Sequence, residues 1–256
     1  MSKIDRLSAL MSRFELSVSL CDASEANFRV IGDCETGAAQ SLVLAQGDKN
    51  LGRLKHNQIV LLNAKVQWGG DQNPMMAALP RRIQHELGSD SDVRAIVELL
   101  LSEHRMARCG SASVLNRLGE VLLVRIMRSQ IEAAHLAAGL FGGLADPRLS
   151  RAIVAIHDSP EVAWRVESLA AEAGLSVSHF SQLFRDAVGV TPLAYLRKWR
   201  LVLAKQDIER GDRVQMVANR YCYGSTEALS RAFVHAYGAS PTQLRKSASS
   251  LSKASA

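Results

Sequence analysis

Residues 167–184 read ESLAAEAGLSVSHFSQLF, and this stretch decides the fold of the C-terminal part of the chain. Leu169, Ala170 and Ala173 recur at helical spacing and give one apolar face. Gly174 stands where that helix must stop, because a glycine there takes the left-handed conformation that a side chain resists. Ser176 can cap a second helix by accepting a backbone N–H. Phe180, Leu183 and Phe184 then fall at i, i+3 and i+4 and point inward together, while Ser178, His179, Ser181, Gln182 and Arg185 form the outward face. A short helix with an apolar back and such a polar front can dock on a scaffold and present itself to a DNA groove. An ordinary helical hairpin would show the same pattern.

A second copy separates the two readings. Residues 214–233 read VQMVANRYCYGSTEALSRAF. Val166 aligns with Val214, Leu169 with Val217 and Ala170 with Ala218. After a turn one residue longer, Ser176 aligns with Ser225, Phe180 with Leu229, Gln182 with Arg231 and Phe184 with Phe233. The copies close on the same punctuation, Gly-Val-Thr-Pro ending at Pro192 and Gly-Ala-Ser-Pro ending at Pro241. In each, the glycine ends a helix, Thr191 or Ser240 caps the next, and proline takes its first position.

The paired layout, the run Leu-Ala-Ala-Glu-Ala-Gly-Leu-Ser from Leu169 and the run Ser-Arg-Ala-Phe from Ser230 with Tyr-Gly-Ala-Ser-Pro from Tyr237 resemble the AraC family of bacterial transcription regulators. The resemblance covers roughly Asp146 to Lys246. It implies two helix-turn-helix units joined by a long helix, with their second helices entering successive major-groove segments. The joining helix is expected from Pro192 to about Glu209, with Tyr195, Leu196, Trp199 and Leu203 as its buried stripe and Gly211 ending it. Ser178, Ser181 and Gln182 in the first unit and Thr226, Glu227, Ser230 and Arg231 in the second are expected over base edges. Arg231 is the strongest of these, since arginine can bond guanine O6 and N7 together. His179, Arg185, Arg197, Lys198 and Arg200 are expected at phosphates. Cys222 stands where the family has glycine. A side chain in a left-handed turn costs on the order of 1 kcal/mol, so either that turn is strained or it has a different shape.

The charge distribution agrees with a nucleic-acid partner. From Arg148 onward there are 15 Lys and Arg against 9 Asp and Glu, an excess of 15 − 9 = 6 that equals the net charge of the whole chain. A locally basic segment favours phosphate backbones through counterion release. Residues 148–256 carry their own caps and this excess, and are expected to fold and bind DNA alone.

The 256 residues, 47% of them hydrophobic, suffice for two domains. The most apolar run, residues 136–145, is short and broken by glycines, so no membrane span is expected. The first residues lack the apolar core and cleavage site of a signal peptide, and a cytoplasmic location is expected. Cys21, Cys34, Cys109 and Cys222 form no C-x-x-C pair and fit no zinc spacing. They are expected to be reduced, buried and apolar in role.

Ahead of the paired units, Met1 to Leu10 could form an amphipathic helix. Short β runs follow at residues 14–20, 28–30, 41–45, 58–62 and 64–68, separated by Gly, Asp and Asn, as in a small sandwich or barrel. Residues 92–104 and 112–138 are strongly helical, and Asp146-Pro147 begins a helix running to His157. Leu79-Pro80, Ser113-Val-Leu-Asn-Arg-Leu118 and Gly143-Leu-Ala-Asp-Pro147 leading into Trp164 resemble the branch of the same family with a cupin-type sensor domain, here abbreviated. The expected fold class is thus α+β. Residues 1–75 would be a β-rich cupin-like region, 76–145 a helical coda, 146–248 an all-α domain of two helix-turn-helix units and 249–256 a disordered tail.

Metal-binding cupins use His-x-His with a carboxylate and a distant histidine, whereas only His56 and His85 lie in or beside the strand region here. No metal, cofactor or catalytic residue is expected. The expected partner is double-stranded promoter DNA, with RNA polymerase, an unidentified small-molecule effector and a second copy of the chain as further candidates, and no membrane. The alternatives are a regulator acting only through protein contacts and a cupin-like oxygenase or isomerase with a helical appendix.

Overall fold

The computed structural model describes residues 7, 16–46, 51–68, 73, 78–133 and 139–245. The expected helix at Met1 to Leu10 and the expected tail at 249–256 lie outside them, apart from Leu7. The chain divides into a unit from Leu10 to Phe141 and a unit from Gly142 onward, to which Leu7 also belongs.

The first unit is built on one antiparallel sheet of five strands, β1 (Leu16–Leu20), β2 (Phe28–Asp33), β3 (Ala39–Ala45), β4 (Gln58–Trp68) and β5 (Arg82–Glu86), in the order β1-β4-β2-β3-β5. Alternation sets the register, because a slip of one residue would turn every apolar side chain to the wrong face. Val30 pairs with Leu42 on one side and Leu62 on the other, and Phe28 with Leu44 and Ala64. All six are buried. The opposite face carries a smaller cluster of Ala26, Ile31, Val43, Ala45 and Leu51.

Two of the expected strands, 58–62 and 64–68, are one continuous strand of 11 residues. Asn63 does not break it, since it pairs in register with Arg29 of β2, and its Oδ1 also accepts from Arg29 Nε at 3.1 Å. Strand β5 was not expected, since its sequence RIQHE has a single large apolar residue, the buried Ile83.

Helices α1 (Ser91–Met106) and α2 (Ser111–Ala133) follow the sheet. Asp90 caps α1 by accepting from Val93 N. Edge strand β1 is covered by α2, where Asn116 Oδ1 accepts from Val18 N at 2.6 Å. Gly119 makes that approach possible, because a Cβ there would stand 2.6 Å from Val18 Cβ.

Cys34, Cys109 and Cys222 are exposed and Cys21 half-buried, which corrects the expectation of four buried cysteines. His56 lies exposed on a turn, and His85 Nε2 stands 3.3 Å from the Asp90 carboxylate. Among the described residues no three His, Cys, Asp or Glu side chains gather as a metal ion would require, and no helix is long and apolar enough to cross a membrane.

The second unit is all helical. Its elements are α3 (Leu140–Ala145), α4 (Leu149–Asp158), α5 (Val166–Ala173), α6 (Val177–Val188), α7 (Pro192–Glu209), α8 (Val214–Arg220) and α9 (Thr226–Tyr237), and residues 241–245 are helical again. Asp146 Oδ1 accepts from the backbone N–H groups of Arg148 and Leu149 at 2.7 and 3.3 Å, so it caps α4 as the sequence suggests. Glycine at 143 lets α3 approach α4 and α6 closely, since a Cβ there would meet Ile153 and Val188 at 2.7 and 2.6 Å.

Helix α7 is the scaffold. Tyr195, Leu196, Trp199 and Leu203 are buried as expected, and Leu201, Val202, Ala204 and Ile208 are buried with them. Burial thus runs nearly all round the helix in its middle, which suits an element packed on by both helix-turn-helix pairs of the second unit. His157 of α4 joins it through Tyr195 OH, 2.6 Å from Nε2, and through the Trp199 ring, whose centroid is 4.3 Å away. Burial pushes the Tyr195 phenol far above its ordinary pKa, so it stays protonated.

Candidate nucleic-acid interface

Helices α5 and α6 form the first helix-turn-helix. Gly174 is left-handed at φ 67°, and the turn closes with Leu175 N donating to Ala170 O and Gly174 N donating to Ala171 O. This double bond pattern satisfies carbonyls that the helix end leaves open. Arg151 of α4 satisfies another, donating to Ala173 O at 2.7 Å. Ser176 caps α6 by accepting from His179 N, and Phe180 and Phe184 are buried edge to face. Leu183 is half-buried rather than inside.

Helices α8 and α9 repeat the arrangement. Tyr223 N donates to Ala218 O and Cys222 N to Asn219 O, the bonds found around Gly174. Cys222 is left-handed at φ 59°. The end of α8 therefore closes as the end of α5 does, ahead of a turn one residue longer, with a side chain where that close favours glycine. Ser225 caps α9 by accepting from Ala228 N, and Leu229 and Phe233 are buried. Asp207 ties this unit to α7, accepting from Tyr221 OH at 2.8 Å and from Arg220. Arg220 also bonds Asp212 at 2.8 Å, and the bond to Asp207 contributes most to holding its guanidinium protonated.

The outward faces of α6 and α9 hold the residues expected over base edges. Ser178, Gln182, Glu227 and Arg231 are exposed, and Ser181, Thr226 and Ser230 are half-buried. Their polar atoms are already partly engaged. Gln182 Nε2 donates to both carboxylate oxygens of Asp186, at 2.9 and 3.0 Å, and the amide keeps its Oε1 as a hydrogen-bond acceptor. Thr226 Oγ1 donates to Glu227 Oε1 at 3.0 Å. The Glu227 carboxyl is held below its ordinary pKa, first by its own backbone N–H, then by the hydroxyls of Ser225 and Thr226, and by the charge of Arg231.

Among the residues expected at phosphates, His179, Arg185, Arg197 and Lys198 are exposed. Arg197 Nε donates to Leu193 O of its own helix at 3.2 Å. Arg200 corrects its expectation. It is 9% exposed, with Nε donating to Pro160 O and Nη2 to Val162 O, both at 2.7 Å. A guanidinium committed to two carbonyls in the interior is not offered to a phosphate. Its neighbours Arg197 and Lys198 gave no local signal of this difference, because the carbonyls that claim Arg200 lie about forty residues earlier. Asp186, which holds Gln182, is a neighbour of this face that the sequence pattern alone did not single out.

A helix-turn-helix domain family matches residues 169–247, and a cupin family matches residues 5–132. The chain is 33% identical over 179 residues to the HTH-type transcriptional regulator AlkR of Acinetobacter baylyi, covering 68% of this chain and 58% of that protein. It is 36% identical over 138 residues to a putative AraC-like transcription regulator of Streptomyces lividans, covering 53% and 45%. It is 33% identical over 155 residues to the RCS-specific HTH-type transcriptional activator RclR of Escherichia coli, covering 60% and 55%. The chain thus spans about half the length of these curated relatives. Among solved structures, the DNA-binding domain of AdpA in complex with a target DNA is 33% identical, covers 40% of this chain and 92% of that one, and superposes with a TM-score of 0.37. ToxT from Vibrio cholerae O395 is 9% identical, covers 91% and 96%, and gives a TM-score of 0.42.

Proposed function

The chain belongs to the AraC family of transcription regulators, and from that premise we propose that it is a sequence-specific regulator that reads promoter DNA with α6 and α9 together. The observation that carries this reading is the repeated unit itself. Two capped helices each bury aromatic or aliphatic anchors on one face and present polar groups on the other, and both are mounted on α7. Ser178, Ser181 and Gln182, with Thr226, Glu227, Ser230 and Arg231, face the bases. His179, Arg185, Arg197 and Lys198 hold phosphates, which position the protein without carrying sequence information.

The sheet of the first unit with α1 and α2 serves as a sensing or dimerisation module, responding to a small-molecule effector or to a protein partner, and RNA polymerase is the partner through which transcription changes. The protein works in the cytoplasm, without turnover.

The test is selection of duplexes from a random-sequence library with the full chain, followed by anisotropy titrations of the recovered duplex at increasing salt. A recovered consensus and a steep fall of log K with log salt, about 0.9 per phosphate neutralised, support the proposal. Failure to enrich any sequence at low salt contradicts it.

A further inference from the structure

Between α4 and α5 the chain runs through residues 159–164, a short strap that closes on itself. Val162 N donates to Ser159 O at 3.2 Å, Trp164 N to Val162 O at 2.7 Å, and Trp164 Nε1 to Ser159 O at 2.9 Å. Two side chains from elsewhere grip it. Arg200, in the middle of α7, donates to the carbonyls of Pro160 and Val162. Cys222, at the turn between α8 and α9, donates its thiol to the carbonyl between them, that of Glu161, at 2.9 Å. Three consecutive carbonyls of the segment that leads into the first helix-turn-helix are therefore held from the scaffold helix and from the turn of the second.

We infer that Arg200 and Cys222 are positioning residues that lock the two reading helices in one relative placement, so that the protein discriminates the spacing between the two halves of its DNA site. This rests on the reading that α6 and α9 both contact DNA. Inserting one base pair moves the second half-site by about 3.4 Å and rotates it by about one tenth of a turn. A protein whose units are pinned cannot follow that displacement, whereas one whose units pivot on α7 can. The side chain at Cys222 thereby gains a reason to occupy a backbone position that favours glycine.

The experiment compares the full wild-type chain with Cys222→Gly and Arg200→Lys. Each is titrated on the duplex recovered by selection, on the same duplex with one base pair inserted or deleted between the half-sites, and on one with the second half-site scrambled. Wild type is expected to bind the respaced duplexes at least tenfold more weakly than the native one. In each variant that ratio should shrink at least threefold, with affinity for the scrambled duplex unchanged within twofold. Glycine suits the φ of position 222, so a looser spacing preference in Cys222→Gly together with unchanged or raised melting temperature separates positioning from loss of fold. A spacing ratio that stays at the wild-type value in Cys222→Gly overturns the inference. Selection that recovers no duplex at all overturns instead the DNA-reading function beneath it.

Discussion

Replacing Cys222 by glycine should stabilise the helical unit. A side chain in the left-handed region costs about 1–2 kcal/mol, and Cys222 sits there at φ 59° with the hydrogen bonds of the turn intact. Glycine removes that cost but adds unfolded-chain freedom of about 0.5–1 kcal/mol. Losing the thiol contact to Glu161 O releases the strap from the second unit's α8–α9 turn and offsets part of the gain. The net expectation is a gain of about 0.5–1 kcal/mol, which for a unit near 100 residues raises its melting temperature by about 2–6 °C. Gly174→Ala is the reciprocal change. It should cost about 1–2 kcal/mol, because Gly174 is left-handed and its added Cβ would lie 3.1 Å from the Arg151 guanidinium that closes α5. Scanning calorimetry of the full chain, following the transition of the helical unit, reads both. A melting temperature for Cys222→Gly clearly below wild type would refute the strain argument.

Further outcomes follow from the same geometry. Arg231→Ala should weaken binding to the selected duplex by about 1–3 kcal/mol and relax preference at one base position, as read by repeating the selection with the variant; an unchanged profile would remove Arg231 from the base-reading set. Lys198→Ala should weaken all duplexes alike and lower the salt slope by about 1, as anisotropy titrations would show. A fragment starting at 142 should resist urea better than one starting at 148, by about 3 kcal/mol or more, because the shorter one lacks the buried Leu144 and the Asp146 cap. For Asp146, burial works to raise the carboxyl, but the Arg148 side chain and the N–H groups of Arg148 and Leu149 outweigh it and hold the pKa below the ordinary value. Stability from its ionised form is therefore present at neutral pH and is lost as pH falls through the lowered pKa. Asp146→Asn keeps a capping side chain, so the difference from wild type should be visible in urea midpoints at pH 7 and vanish in acid.

The helical unit was legible in the sequence because its signals are local. Glycines, capping hydroxyls and prolines mark the helix ends within a few residues, and α7 runs from Pro192 to Glu209 as those marks require. The polar faces of α6 and α9 were legible from spacing alone. What escaped depends on partners far along the chain. Arg200 reads like its exposed neighbours Arg197 and Lys198 until the carbonyls of residues 160 and 162 claim it. Strand β4 looks like two runs because Asn63 resembles a break, and its pairing with β1 and β2, in which Asn63 stands opposite Arg29, keeps the strand whole. Strand β5 has too few apolar residues to announce itself and exists by pairing with β3. The left-handed geometry at Cys222 persists without a glycine to mark it, between helices anchored by the buried Val217, Ala218, Leu229 and Phe233.

Methylation interference on the selected duplex, with the full wild-type chain, tests most directly whether both units read DNA. Two clusters of major-groove interference, centred about one helical turn or 10–10.5 base pairs apart, are expected, with the cluster assigned to α9 lost in Arg231→Ala and the other retained. A single cluster that is unaffected by Arg231→Ala would contradict a bipartite reading by α6 and α9.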